Sequence, residues 1–199
     1  MIILPTTMLS LLSTTTCALL LASSALAAPY SPPPTTNPYP PPCTSQSSNV
    51  SEWTINNFDF HASYIFTTPA HQNSWGYVNF TLSNPAVSYT PVCSAASDQL
   101  SDFFYGNFVY KCTNVPVPSD KATFTFNRGD NQLLVNQTWA CAGEGSRFTA
   151  LGGVRLDLNC SDTTWQNPNW TPGNIYSQRT VTCGKTTVPA KIDEMSAVL

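Results

Sequence analysis

The residues of this chain best able to do chemistry are its cysteines, and two of them, Cys93 and Cys112, lie nineteen positions apart beside an aromatic, alternating segment. A thiolate can bind a metal, attack a substrate or pair with a second cysteine as a disulfide. Zinc sites normally use closely spaced ligand pairs, but the chain has no Cys-x-x-Cys, and His61 and His71 lie far from every cysteine in sequence. The pattern therefore predicts a structural disulfide.

The two histidines also restrict acid–base chemistry. A Ser-His-Asp triad needs an imidazole beside its nucleophile, and neither Gly-x-Ser-x-Gly nor His-Glu-x-x-His occurs. His61 lies in the strand-like run HASYIF and His71 in the polar run AHQNSWG, so we interpret them as ordinary strand and loop residues. A copper-dependent polysaccharide oxygenase would need a histidine as the first residue of the mature chain, where it binds the metal. This class is disfavoured, because cleavage of the signal peptide predicted below would leave a mature chain that begins Ala28-Pro29.

A glycosidase would need two carboxylates that converge at a defined separation. The acidic residues best suited to that role are Glu52, Glu144, Asp157 and Asp162, but nothing in the sequence singles out a pair among its eleven acids. The sequence therefore predicts no catalytic residue, no metal site and no cofactor. A hydrolase with a dispersed carboxylate pair remains the third option for function.

Residues 163–176, TTWQNPNWTPGNIY, form the strongest candidate binding segment, with Trp165, Trp170 and Tyr176 in a polar, proline-containing stretch. Surface loops of this kind often carry function, and indole rings offered to solvent stack well on sugars or phenolics. The alternative is that these aromatic residues fold back over one end of the domain as a small cluster.

The first 27 residues are apolar, rich in small residues and end in Ala25-Leu26-Ala27, which predicts a signal peptide cleaved near Ala27. The alternative is a membrane anchor, which the interspersed Ser and Thr residues disfavour. Removal of residues 1–27 also removes Cys17 and leaves six cysteines, an even number that is typical of disulfides in an exported chain. We therefore expect a secreted protein.

Residues 28–48 form a proline-rich segment, with eight prolines between positions 29 and 42, and we expect a disordered spacer there. Recognition of this spacer by the aromatic groove of a partner is the less favoured alternative. Charged residues make up only 10% of the chain and the net charge is −3. With its basic residues isolated, the sequence predicts binding neither to nucleic acid nor to an anionic membrane.

The remaining sequence, 49–190, reads as short strands separated by Gly, Pro, Asn and Asp. In KATFTFN, apolar residues alternate with polar ones. The same period of two occurs in VRLDLNC, EWTINNF and QLLVNQTWAC. The Gly-Asp-Asn at 129–131 predicts a hairpin turn. With no amphipathic helix in the pattern, we expect an all-β domain, a single antiparallel barrel or sandwich stapled by disulfides, followed by a tail at 191–199.

Five Asn-x-Ser/Thr sequons test the predicted strand faces, because a glycan must point into water. In their strands, Asn79, Asn136 and Asn159 fall on the polar side. All five sequons are therefore expected glycosylation sites: Asn49, Asn79, Asn136, Asn159 and Asn169.

The segment VCSAASDQL, followed by aromatic residues and FVYKC, resembles the Alternaria major-allergen (Alt a 1) family of small secreted fungal proteins. EWTINNF, preceded by Cys43, is similar to the N-terminal strand and cysteine of that family. The resemblance covers roughly Cys43 to Cys183 and implies an antiparallel β-barrel without catalytic activity, of allergen or effector type. It implies plant defence proteins or small phenolic ligands as partners, whereas the aromatic loop leaves open a carbohydrate-binding module that attaches to cell-wall glycan.

The resemblance also implies disulfide pairs. By position, Cys93 with Cys112 matches one bridge of the family and Cys160 with Cys183 the second. The N-terminal cysteine of the family can join two subunits, which would make Cys43 the link of a covalent dimer. This chain has an additional cysteine, Cys141, so we favour an internal Cys43–Cys141 bridge and a monomer, with the dimer as the alternative.

Overall fold

The computed structural model describes residues 42–98 and 104–198. The predicted signal peptide and residues 28–41 of the predicted spacer lie outside these ranges. None of the helices in the described ranges is long and apolar enough to span a bilayer.

Within the described residues, ten strands follow one short helix. They are α1 (Cys43–Ser48), β1 (Glu52–Thr68), β2 (His71–Ser83), β3 (Val92–Ser97), β4 (Tyr110–Thr113), β5 (Lys121–Asn127), β6 (Gln132–Cys141), β7 (Ser146–Arg155), β8 (Cys160–Gln166), β9 (Ser177–Cys183) and β10 (Thr186–Val198). Each pairing between them is antiparallel. The all-β fold predicted from the alternating pattern is confirmed.

Eight strands close into a barrel in the order β1-β2-β3-β4-β5-β6-β7-β10, and β10 pairs with β1 to complete it. The interior is filled by the inward-facing side chains, of which Phe58, Phe60 and Phe126 are fully buried. Ring centroids in this group lie 5.2–5.6 Å apart, within the range of favourable aromatic pairs. The barrel is therefore a packed core, built by alternation of bulky apolar residues with polar ones.

β1 has 17 residues, so it can pair both with β10 in the barrel and with β9 beyond it. Its first part, from Glu52 to Phe58, pairs with β10 and closes the barrel, whereas the part from His61 to Phe66 pairs with β9. The register shifts between Ile55 and Phe58, where Asn57 adopts a left-handed φ of 52°. Bulges of this kind bend a strand and increase its twist, so β1 can leave β10 for β9 at this point.

The hairpin β8–β9 continues the sheet beyond β1 and has no place in the barrel wall. We call the continuous sheet formed by β2, β1, β9 and β8 the flange. Within residues 42–98 and 104–198, β8 pairs with β9 alone and is an edge strand.

Three disulfides hold these parts together, and they are the pairs that the sequence analysis favoured. Cys93–Cys112 joins β3 to β4, Cys160–Cys183 joins β8 to β9, and Cys43–Cys141 joins α1 to the end of β6. Because Cys43 is bonded within the chain, it has no thiol left for a partner subunit.

Three predicted segment boundaries were wrong. The end of the predicted spacer, residues 43–48, is helix α1, whose first amide groups donate to the carboxylate of Glu144 at 2.7 and 3.0 Å. Residues 191–198 of the predicted tail belong to β10, because their backbone pairs with β7. VRLDLNC is not one strand: β7 ends at Arg155 and β8 begins at Cys160, so Asn159 lies in a loop, where it is nevertheless exposed.

Candidate functional site

The outward face of the flange is the most distinctive surface among the described residues. Strand pairing places its side chains in three rows that run across β2, β1, β9 and β8. The rows are Tyr77-His61-Thr182-Ser161, Trp75-Ser63-Thr180-Thr163 and Asn73-Ile65-Gln178-Trp165. We call this surface the recognition face.

Aromatic rings occupy opposite sides of the recognition face. Trp75 lies on β2 and is 47% exposed, whereas Trp165 lies on β8 and is 52% exposed. Three inter-strand spacings separate their strands, which is about 14 Å. Between them lies a floor of hydroxyl and amide groups.

Local packing fixes the β2 side of this face. The rings of Trp75 and Tyr77 are nearly parallel with centroids 6.4 Å apart, and Tyr77 stacks on His61 across the strand pair at 4.9 Å. His61 Nε2 lies 2.8 Å from Asp59 Oδ1. Partial desolvation, with a smaller contribution from the charge of Asp59, raises the pKa of the Tyr77 phenol.

The β8 side carries a shallow groove beside Trp165, of about 300 Å³. It is lined by Thr163, Thr164, Trp165, Gln178 and Thr180. The Gln178 amide donates to the hydroxyls of Ser63 and Thr180 at 3.2 and 3.3 Å, which fixes the floor between the two aromatic sides. A groove of hydroxyls beside an indole can bind a flat, weakly charged ligand by stacking and hydrogen bonding.

The opposite face of the flange is tied together by charge. The Nε of Arg179 donates to both carboxylate oxygens of Asp162, at 2.9 and 3.0 Å, and its guanidinium lies 5.3 Å from the ring centroid of Tyr64. Hydrogen bonding from Arg179 lowers the pKa of the Asp162 carboxyl. This pair links β8 to β9 on the face away from Trp165.

The structure divides the predicted aromatic loop. Trp165 faces solvent on the recognition face, but Trp170 and Tyr176 pack edge to face at 5.7 Å, and the Trp170 indole donates to the carbonyl of Asn174. The hydroxyl of Tyr176 accepts from Gln166, which alternates to the face away from Trp165. Trp170 and Tyr176 therefore pack within their own loop, whereas Trp165 is offered to solvent, and binding by the three predicted residues stays a prediction.

Sequence reasoning missed Trp75, Tyr77 and His61 as parts of a site. A signal was present: in WGYVNF, Trp75 and Tyr77 share the outward phase of Asn79, so two aromatic residues stand where a solvated strand normally carries polar ones. Their union with Trp165 was beyond sequence reasoning, because it depends on the pairing of β1 with β9, more than a hundred residues apart.

The carboxylates considered for catalysis lie on different elements. Glu52 begins β1, Asp157 lies between β7 and β8, Glu144 caps α1 and Asp162 pairs with Arg179. His71 Nδ1 lies 2.9 Å from the Thr67 hydroxyl in the β1–β2 hairpin. No group of three or more His, Cys, Asp or Glu side chains suited to a metal occurs among residues 42–98 and 104–198.

Comparison with known proteins gives one match. The sequence model of the family described as AltA1, Alternaria alternata allergen 1, matches residues 55–183, which is well over half of the chain. The matched range runs from within β1 to the end of β9 and so contains the flange except for the first three residues of β1. No curated protein and no solved structure matches the chain.

Proposed function

The chain belongs to the Alternaria alternata allergen 1 family, and on that premise we propose that it is a secreted, non-catalytic protein that binds a host apoplastic protein through the recognition face. Family membership and three disulfides are consistent with export. Of the four carboxylates considered for catalysis, Glu144 and Asp162 are each engaged by a structural partner, which favours a binding role over catalysis.

The observation that carries the proposal is the make-up of the recognition face. Its three rows contain two exposed tryptophans and a tyrosine but no Lys, Arg, Asp or Glu. Trp and Tyr are enriched among the residues that dominate binding energy, and charged residues are depleted from interface centres. A broad, nearly uncharged sheet with aromatic anchors at both sides therefore suits another protein surface.

Small phenolic ligands fit this arrangement less well. The buried phenylalanines fill the barrel, and the groove beside Trp75 and Tyr77 is open, at about 300 Å³. A phenolic ring that stacks there would have one face in water. We therefore favour a protein partner over a small phenolic ligand.

The test is a binding comparison among three single variants. Immobilised full-length protein captures a partner from plant apoplastic fluid, and the identified partner is then purified and titrated. Trp75→Ala and Trp165→Ala should each weaken binding by about 2 kcal/mol, roughly thirtyfold in Kd. Trp170→Ala is the matched control, since its indole packs within its own loop. Equal binding by all three variants would refute the recognition face.

A second candidate function is attachment to cell-wall polysaccharide, which the hydroxyl-lined groove beside Trp165 favours. A sugar ring could stack on this indole while its hydroxyls meet Thr163 and Gln178. Affinity electrophoresis through gels that contain wall glycans separates the two functions. Retardation of the wild type that Trp165→Ala abolishes, without any protein partner, would establish the module instead.

A further inference from the structure

On the barrel wall, away from the flange, an apolar groove of about 370 Å³ opens between β5, β6 and β7. Its floor includes Leu134 and Leu151, which point outward and are 49% and 43% exposed. Val109, 65% exposed, lines one side. Adjacent outward aliphatic residues are unusual on a solvated sheet and normally indicate that something covers them.

The neighbours of Leu134 make this floor smooth. Gly153 lies directly opposite Leu134 on β7, and a Cβ at that glycine would lie 3.0 Å from Leu134 Cδ2 and 2.2 Å from the Leu133 carbonyl oxygen. Only glycine leaves room there, so the Leu134 side chain lies flat over the β7 backbone. The groove is therefore shaped by the sequence of two strands and is not a gap left by poor packing.

Asn136 stands in the same groove. It follows Leu134 on the outward side of β6, and its cross-strand neighbours are Leu151 on β7 and Thr123 on β5. Asn136 is exposed, and Gln137-Thr138 complete an N-glycosylation sequon. On the far rim lie the carboxylates of Asp193 and Glu194, at the irregularity where β10 shifts register against β7.

We propose that this groove seats the inner sugars of an N-linked glycan carried by Asn136. The C–H face of the first N-acetylglucosamine covers Leu134 and Leu151, while hydroxyls of the inner sugars reach the acidic rim. Amphipathic rings match a floor of aliphatic carbon beside carboxylate acceptors. The inference rests on the passage through the secretory pathway proposed above.

The attachment needs a lipid-pyrophosphate-linked oligosaccharide as donor. The Asn136 side-chain nitrogen forms a bond to the anomeric carbon of the first sugar, whose bond to the pyrophosphate oxygen breaks. The lipid pyrophosphate leaves with that electron pair, and the amide gives up one proton. No oxidant or reductant takes part.

The alternative occupant of this groove is a second protein surface. The position of Asn136 disfavours it, because a glycan attached beside Leu151 would stand between the groove and any partner. The two occupants make opposite predictions for the glycosylated protein: the glycan leaves the leucines covered in the monomer, whereas a protein partner requires them to be bare.

The test uses the full chain secreted from yeast. Peptide mapping after glycosidase release in heavy-oxygen water should mark Asn136 as modified. Asn136→Gln should then raise the fluorescence of a hydrophobic dye severalfold, and adding Leu134→Thr and Leu151→Thr to that variant should return it to the starting level. Asn79→Gln is the matched control: this sequon also points outward from a strand, but its neighbours are Asp59 and Ser94.

An endoglycosidase that leaves one sugar on each asparagine sharpens the test. The trimmed protein should keep the low dye fluorescence of the intact form and show nuclear Overhauser contacts between that sugar and the methyl groups of Leu134 and Leu151. A modified Asn136 without such contacts overturns the inference, as does a dimer that forms through the groove with its glycan in place. A secreted chain with glycans at other sequons but none at Asn136 overturns this inference alone, whereas a chain retained in the cell overturns the proposed function with it.

Discussion

Strands of the barrel and of the hairpin β8–β9 differ in how far their side chains are buried and in how many of their edges are paired. In β6, residues alternate strictly between buried and exposed or half-buried, and both edges of the strand are paired. In β8, every residue from Ser161 to Gln166 is exposed and only one edge is paired. Stability is therefore concentrated in the closed wall, while the part of the recognition face on β8 extends from it on a strand that contributes little to the core.

Loss of the Cys43–Cys141 bridge should have the largest effect in this comparison, because it closes a loop of 98 residues around the barrel. Replacing both cysteines by alanine should lower the free energy of unfolding by about 4–5 kcal/mol. Urea unfolding followed by tryptophan fluorescence measures it. The Cys93–Cys112 pair, with a separation of 19, is the control and should lose about 3 kcal/mol; an equal or smaller loss for the longer loop would contradict the prediction.

A core truncation should come next. Phe126 is fully buried and packs against Phe58, Phe60 and Phe104. Phe126→Ala should destabilise the protein by about 3–5 kcal/mol, since it removes apolar contact and leaves a cavity. Thermal and urea unfolding give the value. A loss below about 1 kcal/mol would mean that the barrel interior is not packed as described.

Removal of the Cys160–Cys183 bridge should act on the hairpin β8–β9 alone. With a separation of 23 residues, this bridge is worth about 3 kcal/mol by loop closure. With Cys160→Ala and Cys183→Ala, amides of β8 should exchange with solvent faster while amides of β5 and β6 keep their protection, because the barrel closes through β1 and β10. Equal acceleration in β6 would show that hairpin and barrel unfold as one unit.

The Asp162–Arg179 pair should give the flange a dependence on pH. Because its folded pKa is lowered, the Asp162 carboxyl stabilises the hairpin above its unfolded pKa, and this contribution is lost as the pH falls through the folded value. Hydrogen exchange in β8 should therefore be faster in Asp162→Asn than in the wild type at neutral pH and equal in both once the carboxyl is protonated. Asp157→Asn serves as the control at a nearby exposed carboxylate.

The smallest effect on stability should come from Trp165→Ala. This ring is half exposed on an edge strand, so its loss should change the free energy of unfolding by no more than about 0.5 kcal/mol. The same substitution should still weaken partner binding. A loss of stability similar to that of Phe126→Ala would mean that Trp165 is a core residue of the flange and not a binding residue.

Sequence was most informative where periodicity decides the structure. KATFTFN and QLLVNQTWAC coincide with β5 and β6, and the predicted Gly-Asp-Asn turn joins them. The alternation in VRLDLNC led to the wrong prediction of a single strand. The buried Leu156 and the half-buried Leu158 lie in a loop, where the backbone N–H of Leu156 donates a hydrogen bond to the carbonyl of Asn131. An alternating sequence indicates that every second residue is buried, but it does not show that the backbone pairs with a neighbouring strand.

Features that depend on distant contacts could not be predicted in the same way. Helix α1 has six residues and no amphipathic pattern; it is held by Glu144, by the bridge to Cys141 and by the Trp139 indole, which donates to Ser47. A helix this short is unstable alone. Likewise, the sequence pattern places Trp75 on the outward side of β2, but only the pairing of β2, β1, β9 and β8 shows that it shares a face with Trp165.

The double role of β1 has a consequence for how members of this fold can diverge. Since β1 pairs with β10 from Glu52 to Phe58 and with β9 only from His61 to Phe66, the wall closes without the hairpin. Substitutions, insertions or a grafted loop between Cys160 and Cys183 should therefore alter the proposed recognition face while the barrel stays closed. The hairpin β8–β9 lies outside the closed wall, and it offers an engineer a place to install a new specificity.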